Sequence, residues 1–123
     1  PSSAFPDQED GVADCVFCKI VAGEIPSKKV YEDESVYAFE DIAPKAPTHV
    51  LVVPRKHIAR LADVTADDEA LLGALAARAA GIANERGLSD FRLVANNGEG
   101  AGQSVFHLHF HLLGGRSMRW PPG

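Results

Sequence analysis

VFHLHFHLLG, residues 105 to 114, places three histidines, His107, His109 and His111, at alternate positions with Leu108, Phe110 and Leu112 between them. Side chains on a strand alternate faces with a period of two, so the pattern predicts a strand with all three imidazoles on one face. Phe106, Leu108, Phe110 and Leu112 then share the other face and need a cover. Between Thr65 and Arg86 the chain supplies one: Leu71, Leu72, Leu75, Ala79 and Ile82 recur at three- and four-residue spacing, and alanine fills much of the rest. This predicts one long helix over 65–86, with Thr65 as N-cap, Asp67, Asp68 and Glu69 at the positive end of its dipole, and Gly87 at its C-terminal left-handed position. With the apolar face covered by that helix, the imidazole face looks into a pocket.

Working outward, FRLVA (91–95) reads as a strand, and NNGEGAGQS (96–104) as the loop that delivers the chain to the histidines. Upstream, KVYE (29–32), VYAFED (36–41) and HVLVVP (49–54) are rich in β-branched and aromatic residues and are separated by turn formers, which predicts an antiparallel meander. CVFCKI (15–20) clusters its apolar residues within one or two turns before Gly23 and Pro26, which predicts a short N-terminal helix. Strands grouped on either side of a single long helix, without regular alternation, favour an α+β fold with an antiparallel sheet of about five strands over a doubly wound parallel sheet. PSSAFPDQEDG (1–11) has two prolines, three acids and little to bury, so it is expected to be a frayed tail preceding a single domain over 12–123.

The composition narrows the function. Twelve Lys plus Arg against seventeen Asp plus Glu give a formal charge of −5, the wrong sign for neutralising phosphates along a nucleic acid, although a local pocket can still hold one nucleotide. No stretch approaches the roughly 18 apolar residues of a membrane span, and no basic-then-apolar leader opens the chain, so no membrane partner and a cytoplasmic location are expected. Cys15 and Cys18 are the only thiols, and their spacing in such a chain reads as metal-binding or redox before it reads as a disulfide.

One zinc held by all three alternating histidines is a poor reading, because at about 3.4 Å per residue His107 and His111 stand roughly 13 Å apart on a flat strand. Neutral imidazole near its ordinary pKa of about 6.5 suits a nucleophile or an acid–base group instead. Gly98, Gly100 and Gly102 in the preceding loop allow close backbone approach to an anion, and Gln103 and Ser104 add polar donors. No Gly-Lys-Ser/Thr opens a helix, so this is not a Walker-type phosphate loop.

HLHFHLL (107–113) resembles the signature of the histidine triad proteins. CVFCKIVAGEIPSKKVYED, FEDIAPKAPTHVLVVPRKHI, GAGQSVFH and the terminal GGRSMRWPPG extend the likeness to the Hint branch, the histidine triad nucleotide-binding proteins, over nearly all of residues 15–123. The resemblance implies a HIT-like antiparallel α+β fold, a homodimer with a continuous sheet, and hydrolysis of purine nucleoside 5′-phosphoramidates with AMP or GMP as ligands. On it, His109 would be the nucleophile that becomes transiently nucleotidylated. The carbonyl of His107 would orient it, Ser104 would hydrogen-bond the leaving group and His111 would contact the phosphate. Asp41 would take the ribose hydroxyls, Val16, Phe17, Ile20, Phe39 and Ile42 would form the base slot, and Asn96, Gly102 and Gln103 would complete the phosphate side. No cofactor is required for this chemistry. The C-terminal tail, with Trp120, would reach toward the partner's site and affect leaving-group preference.

The cysteine pair stays open between two half-buried helix residues, a zinc site and a redox pair. On the resemblance, the ligands of a structural zinc would be Cys15, Cys18, His49 and His107, leaving His109 free. His57, in PRKHI, is expected at the surface with no role. The alternatives to a phosphoramidase are a nucleotide-binding adaptor with little turnover, a dinucleotide polyphosphate hydrolase and a zinc-dependent hydrolase. The acidic chain and the WPPG ending argue against the second of these.

Overall fold

The computed structural model describes residues 14–123. The expected tail over 1–11 lies outside the described residues. The chain runs α1 (Val16–Val21), β1 (Lys29–Glu32), β2 (Val36–Glu40), β3 (Thr48–Pro54), α2 (Glu69–Glu85), β4 (Phe91–Ala95) and β5 (Phe110–Gly114). The five strands form one antiparallel sheet in the order β1-β2-β3-β5-β4. The meander predicted from residues 29–54 is its first half, and the last strand inserts between β3 and β4.

Strand parity sorts the side chains into two layers. Val36 and Ala38 of β2, Val50 and Val52 of β3, and Leu112 of β5 pack with Leu75, Ala79, Ile82 and Ala83 of α2. On the opposite face, Tyr37, Phe39, Leu51 and Val53 pack with Cys15, and with Phe17 and Ile20 of α1. Every residue of β3 is buried because both faces of the central strand are covered. Removal of this apolar surface from water, at about 25 cal/mol per Å2, supplies the main drive for folding.

The C-terminal end of α2 follows the sequence, but its start is corrected: the α-helix begins at Glu69 with Asp68 as its N-cap, and Thr65, expected in that role, caps a separate 3-10 turn. A 3-10 turn over Ala66–Asp68 precedes the helix, and the buried Asp68 carboxylate accepts from the main-chain N–H of Thr65 at 3.0 Å. At the other end Gly87 has φ +71°, and the N–H groups of Gly87 and Leu88 bond the carbonyls of Asn84 and Ala83. That pairing closes the last turn and needs the left-handed residue that glycine supplies.

One expected strand is shorter than its alternation suggested. Only Phe110–Gly114 pairs with β3 and β4, so residues 105–109 approach the sheet as irregular chain. The N–H of Leu108 bonds the carbonyl of Ile58 at 2.6 Å in place of a ladder partner. Leu108 still reaches the α2 layer, whereas Phe106 lies outside it, exposed. The Gly102 turn at φ +97° and the Leu108 bond to Ile58 direct the chain here, and neither is visible in a period-two pattern.

Candidate active site

Each triad histidine has one ring nitrogen committed to a partner, and the partner dictates the tautomer. His109 is buried, and its Nδ1 lies 2.7 Å from the carbonyl oxygen of His107. A carbonyl only accepts, so Nδ1–H donates and Nε2 keeps its lone pair. His107, fully buried, donates Nε2–H to the Pro54 carbonyl at 2.8 Å and keeps its lone pair on Nδ1. The His111 tautomer is set from Lys45, whose main-chain N–H donates to His49 Nδ1 at 3.0 Å. His49 Nε2–H then points at His111 Nδ1 (2.9 Å) and at Asp41 Oδ2 (3.3 Å). With its Nδ1 accepting, His111 carries its proton on Nε2.

The electrostatics keep these rings neutral. Burial, reinforced by the neighbouring rings of His109 and His49, pushes His111 down to about 4. Burial lowers His109 as well, against opposing contributions from the His107 carbonyl and Asp41. His49 is lowered mainly by burial, with Asp41 pulling it back up. The site therefore holds an unprotonated Nε2 on His109 beside a neutral Nε2–H on His111, the two ring centroids 4.9 Å apart.

Phe17 meets His109 edge-on at 5.0 Å and Phe39 at 5.5 Å, forming an apolar floor with Ile20. Ile42 does not join them: it is 99% exposed and lines a cavity of about 660 Å3 with Pro26, Pro44, Pro47 and Asp41. Val16 lines a smaller cavity of about 300 Å3 together with Ser104. The expected five-residue slot is thus split, with three residues in the floor and two outside it. Asp41 and Asn96 line a further cavity of about 630 Å3 together with His49 and His111.

The phosphate loop also differs from expectation. Gln103 is buried, its Oε1 accepts from the Gly98 N–H, and its Nε2 donates to the carbonyls of Ala59 and Val105. Its main-chain N–H goes to Gly98, and that of Gly102 goes to Glu99. Both residues brace the loop and have no main-chain donor left for a ligand. The N–H groups of Ser104 and Val105, next to these braces, have no partner among the described residues.

Cys15, Cys18, His57 and His107 form a second cluster, with ligand atoms all within 4.8 Å of one another. His49 is not part of it, which corrects the expected ligand set, because His49 faces Asp41 and His111 across the sheet. His57, expected at the surface, replaces it, with its Nδ1 3.3 Å from Cys18 Sγ. His107 Nδ1 lies 3.4 Å from Cys15 Sγ and 3.5 Å from Cys18 Sγ. Sulfur and nitrogen ligands about 2.3 and 2.0 Å from a tetrahedral ion stand about 3.5 Å apart, so the donor set and its spacing fit zinc. Without a metal, burial and the neighbouring Cys15 push the Cys18 thiol up to about 12. No sequence spacing announces His57. It reaches Cys18 from the segment that follows the end of β3 at Pro54.

Among the described residues, no helix is long and apolar enough to cross a membrane. The chain is 51% identical over 111 residues to an uncharacterized HIT-like protein of Synechococcus elongatus, covering 89% of this chain and 97% of that protein. Its fold is similar to the crystal structure of a HIT family hydrolase from Legionella pneumophila, with a TM-score of 0.88, 54% identity, and 89% of this chain and 100% of that chain covered. A histidine triad protein from Clostridium difficile matches with a TM-score of 0.83 and 45% identity over 86% of this chain and 94% of that one. The HIT domain model matches residues 22–118, including all three alternating histidines, and the chain belongs to the HIT domain family.

Proposed function

We propose that this protein hydrolyses purine nucleoside 5′-phosphoramidates to the nucleoside monophosphate and the free amine, through a nucleotidyl group carried on His109. The observation that carries this reading is the 2.7 Å bond from His109 Nδ1–H to the His107 carbonyl, which leaves a buried, neutral Nε2 lone pair beside the Nε2–H of His111. The similarity to a HIT family hydrolase supports the hydrolytic class.

In the first step His109 Nε2 attacks the α-phosphorus, a P–Nε2 bond forms and the P–N bond to the amine breaks. The electron pair stays on the departing nitrogen, which takes up a solvent proton relayed through the Ser104 hydroxyl. Positive charge that develops on the imidazole is drawn along Nδ1–H toward the His107 carbonyl. In the second step water attacks the phosphorus, the P–Nε2 bond breaks, its pair returns to the ring and a proton is released. Two modest barriers replace one high one. His111 Nε2–H and the free N–H groups of Ser104 and Val105 serve the phosphate oxygens, and Asp41 serves the ribose.

Cys15, Cys18, His57 and His107 would hold a structural zinc, which supplies cross-linking of α1 to the β3 exit and to the triad and no chemistry at phosphorus. A homodimer through β4 is part of the same reading.

The test is AMP release from the adenosine 5′-phosphoramidate of a simple amine, assayed for wild type and His109→Ala. Turnover by wild type and a loss of at least about a thousandfold in the variant, with AMP binding retained, is the expected result. AMP binding with no turnover by wild type overturns it in favour of a nucleotide-binding adaptor.

A further inference from the structure

The chain has seven arginines and a net charge of −5, so acidic partners are plentiful. Arg55, Arg60, Arg78 and Arg86 each pair with a carboxylate. Arg92, Arg116 and Arg119 have none among the described residues, and all three line the cavity of about 630 Å3 that opens on His111. Lys45, also without a carboxylate partner among the described residues, lines it with them.

Two of these guanidinium groups are held in place by main-chain carbonyls. Arg116 donates Nε–H to Lys45 and an Nη1–H to Ser117, at 2.9 and 3.0 Å. Arg92 donates an Nη2–H to the Arg119 carbonyl at 2.9 Å and lies 6.0 Å from the ring centre of Trp120, so the tail expected to reach toward a partner's site lies against β4 of its own chain. Carbonyl partners fix orientation without cancelling charge, and each guanidinium has five N–H groups, so donors remain on both. The Arg119 side chain makes no hydrogen bond among the described residues.

This cavity and the more apolar one lined by Ile42 meet at Asp41 and His49. A nucleotide with its ribose at Asp41 and its base toward Ile42 leaves the cationic cavity for whatever lies beyond phosphorus. Resting on the phosphoramidase reading, we infer that Arg92, Arg116 and Arg119 form an anion subsite for the leaving amine, so that preferred substrates release amines bearing a carboxylate or phosphate, such as amino acids.

The experiment compares adenosine 5′-phosphoramidates of glycine, glycinamide and ethylenediamine, whose tails are anionic, neutral and cationic at similar size. The readout is the ratio of kcat/KM between the glycine and glycinamide substrates in wild type, Arg119→Gln, Arg116→Gln and the remote control Arg60→Gln. Leaving-group basicity is the same in every protein, so a change of ratio reports the subsite. Each cavity variant is expected to lower the ratio roughly threefold, with Arg60→Gln leaving it unchanged and added salt lowering it in wild type. Arg119→Gln carries the test if Arg116→Gln disturbs the fold. Equal loss on all three substrates, or no change of ratio, overturns the subsite. If wild type turns over none of them, the phosphoramidase reading falls. The subsite is then judged by calorimetric binding of the glycine and glycinamide compounds to His109→Ala with and without Arg119→Gln, where equal affinities overturn it.

Discussion

A single hydrogen bond from the Lys45 main chain decides the proton position on two rings. Because His49 Nδ1 accepts there, Nε2–H must face His111, and His111 must present Nε2–H to the site. Burial keeps His111 neutral down to about pH 4, with Asp41 the one group opposing it and His49 and His109 adding to it. The sign for stability follows: the folded value lies below the ordinary 6.5, so the unfolded chain binds the extra proton. Stability is then complete above about 6.5 and is lost progressively as pH falls from there toward 4. Thermal melting across that window should show a pH slope that His111→Asn reduces by up to about one proton. An unchanged slope in the variant would show that His111 titrates normally in the folded protein.

At the scale of elements, α1 is too short to hold itself together, since six residues form barely two turns. Cys15 acts as its N-cap, its Sγ accepting from the Cys18 N–H at 3.3 Å, so the capping group is itself one of the clustered thiols. Phe17 and Ile20 anchor the helix to the sheet, and Phe17 touches the His109 ring. If the thiol cluster holds the proposed zinc, removing the metal loosens α1 first. Chelation, or Cys18→Ser, should lower the melting temperature by roughly 5 °C or more while activity below that temperature falls only severalfold. Metal analysis of the purified protein gives about one zinc per chain if the cluster is a metal site. A chelated protein with unchanged melting would remove the metal from this account. His107 serves two ends: its ring faces the thiols while its carbonyl accepts from His109 Nδ1–H.

Over the whole molecule, the sheet ends at β4, whose outer edge has no neighbouring strand among those described. Phe91 and Leu93 are 40% and 36% exposed on it. An open edge with exposed apolar side chains is a liability for a monomer and a natural seam for a second copy. Sedimentation should give twice the mass of the chain at micromolar concentration, and Leu93→Lys should shift it toward one. A monomer for both proteins would exclude a dimer through β4.

Local rules were enough for the body of α2, its C-terminal Gly87 and the three strands of the meander, because spacing, strand propensity and turn chemistry act within a few residues. They also sufficed for the family, since the alternating histidines of HLHFHLL are local features of the chain and lie within the residues that the HIT domain model matches. Only the tertiary structure exchanged His49 for His57 in the thiol cluster, delayed the start of the histidine strand to Phe110 and engaged the Gln103 side chain as a brace of its own loop. Each depends on partners far along the chain: His57 and His107 are 50 positions apart, and Gln103 bonds Ala59 across 44. Side-chain direction at such distances is set by strand register and by where the chain turns, which no spacing within one segment encodes.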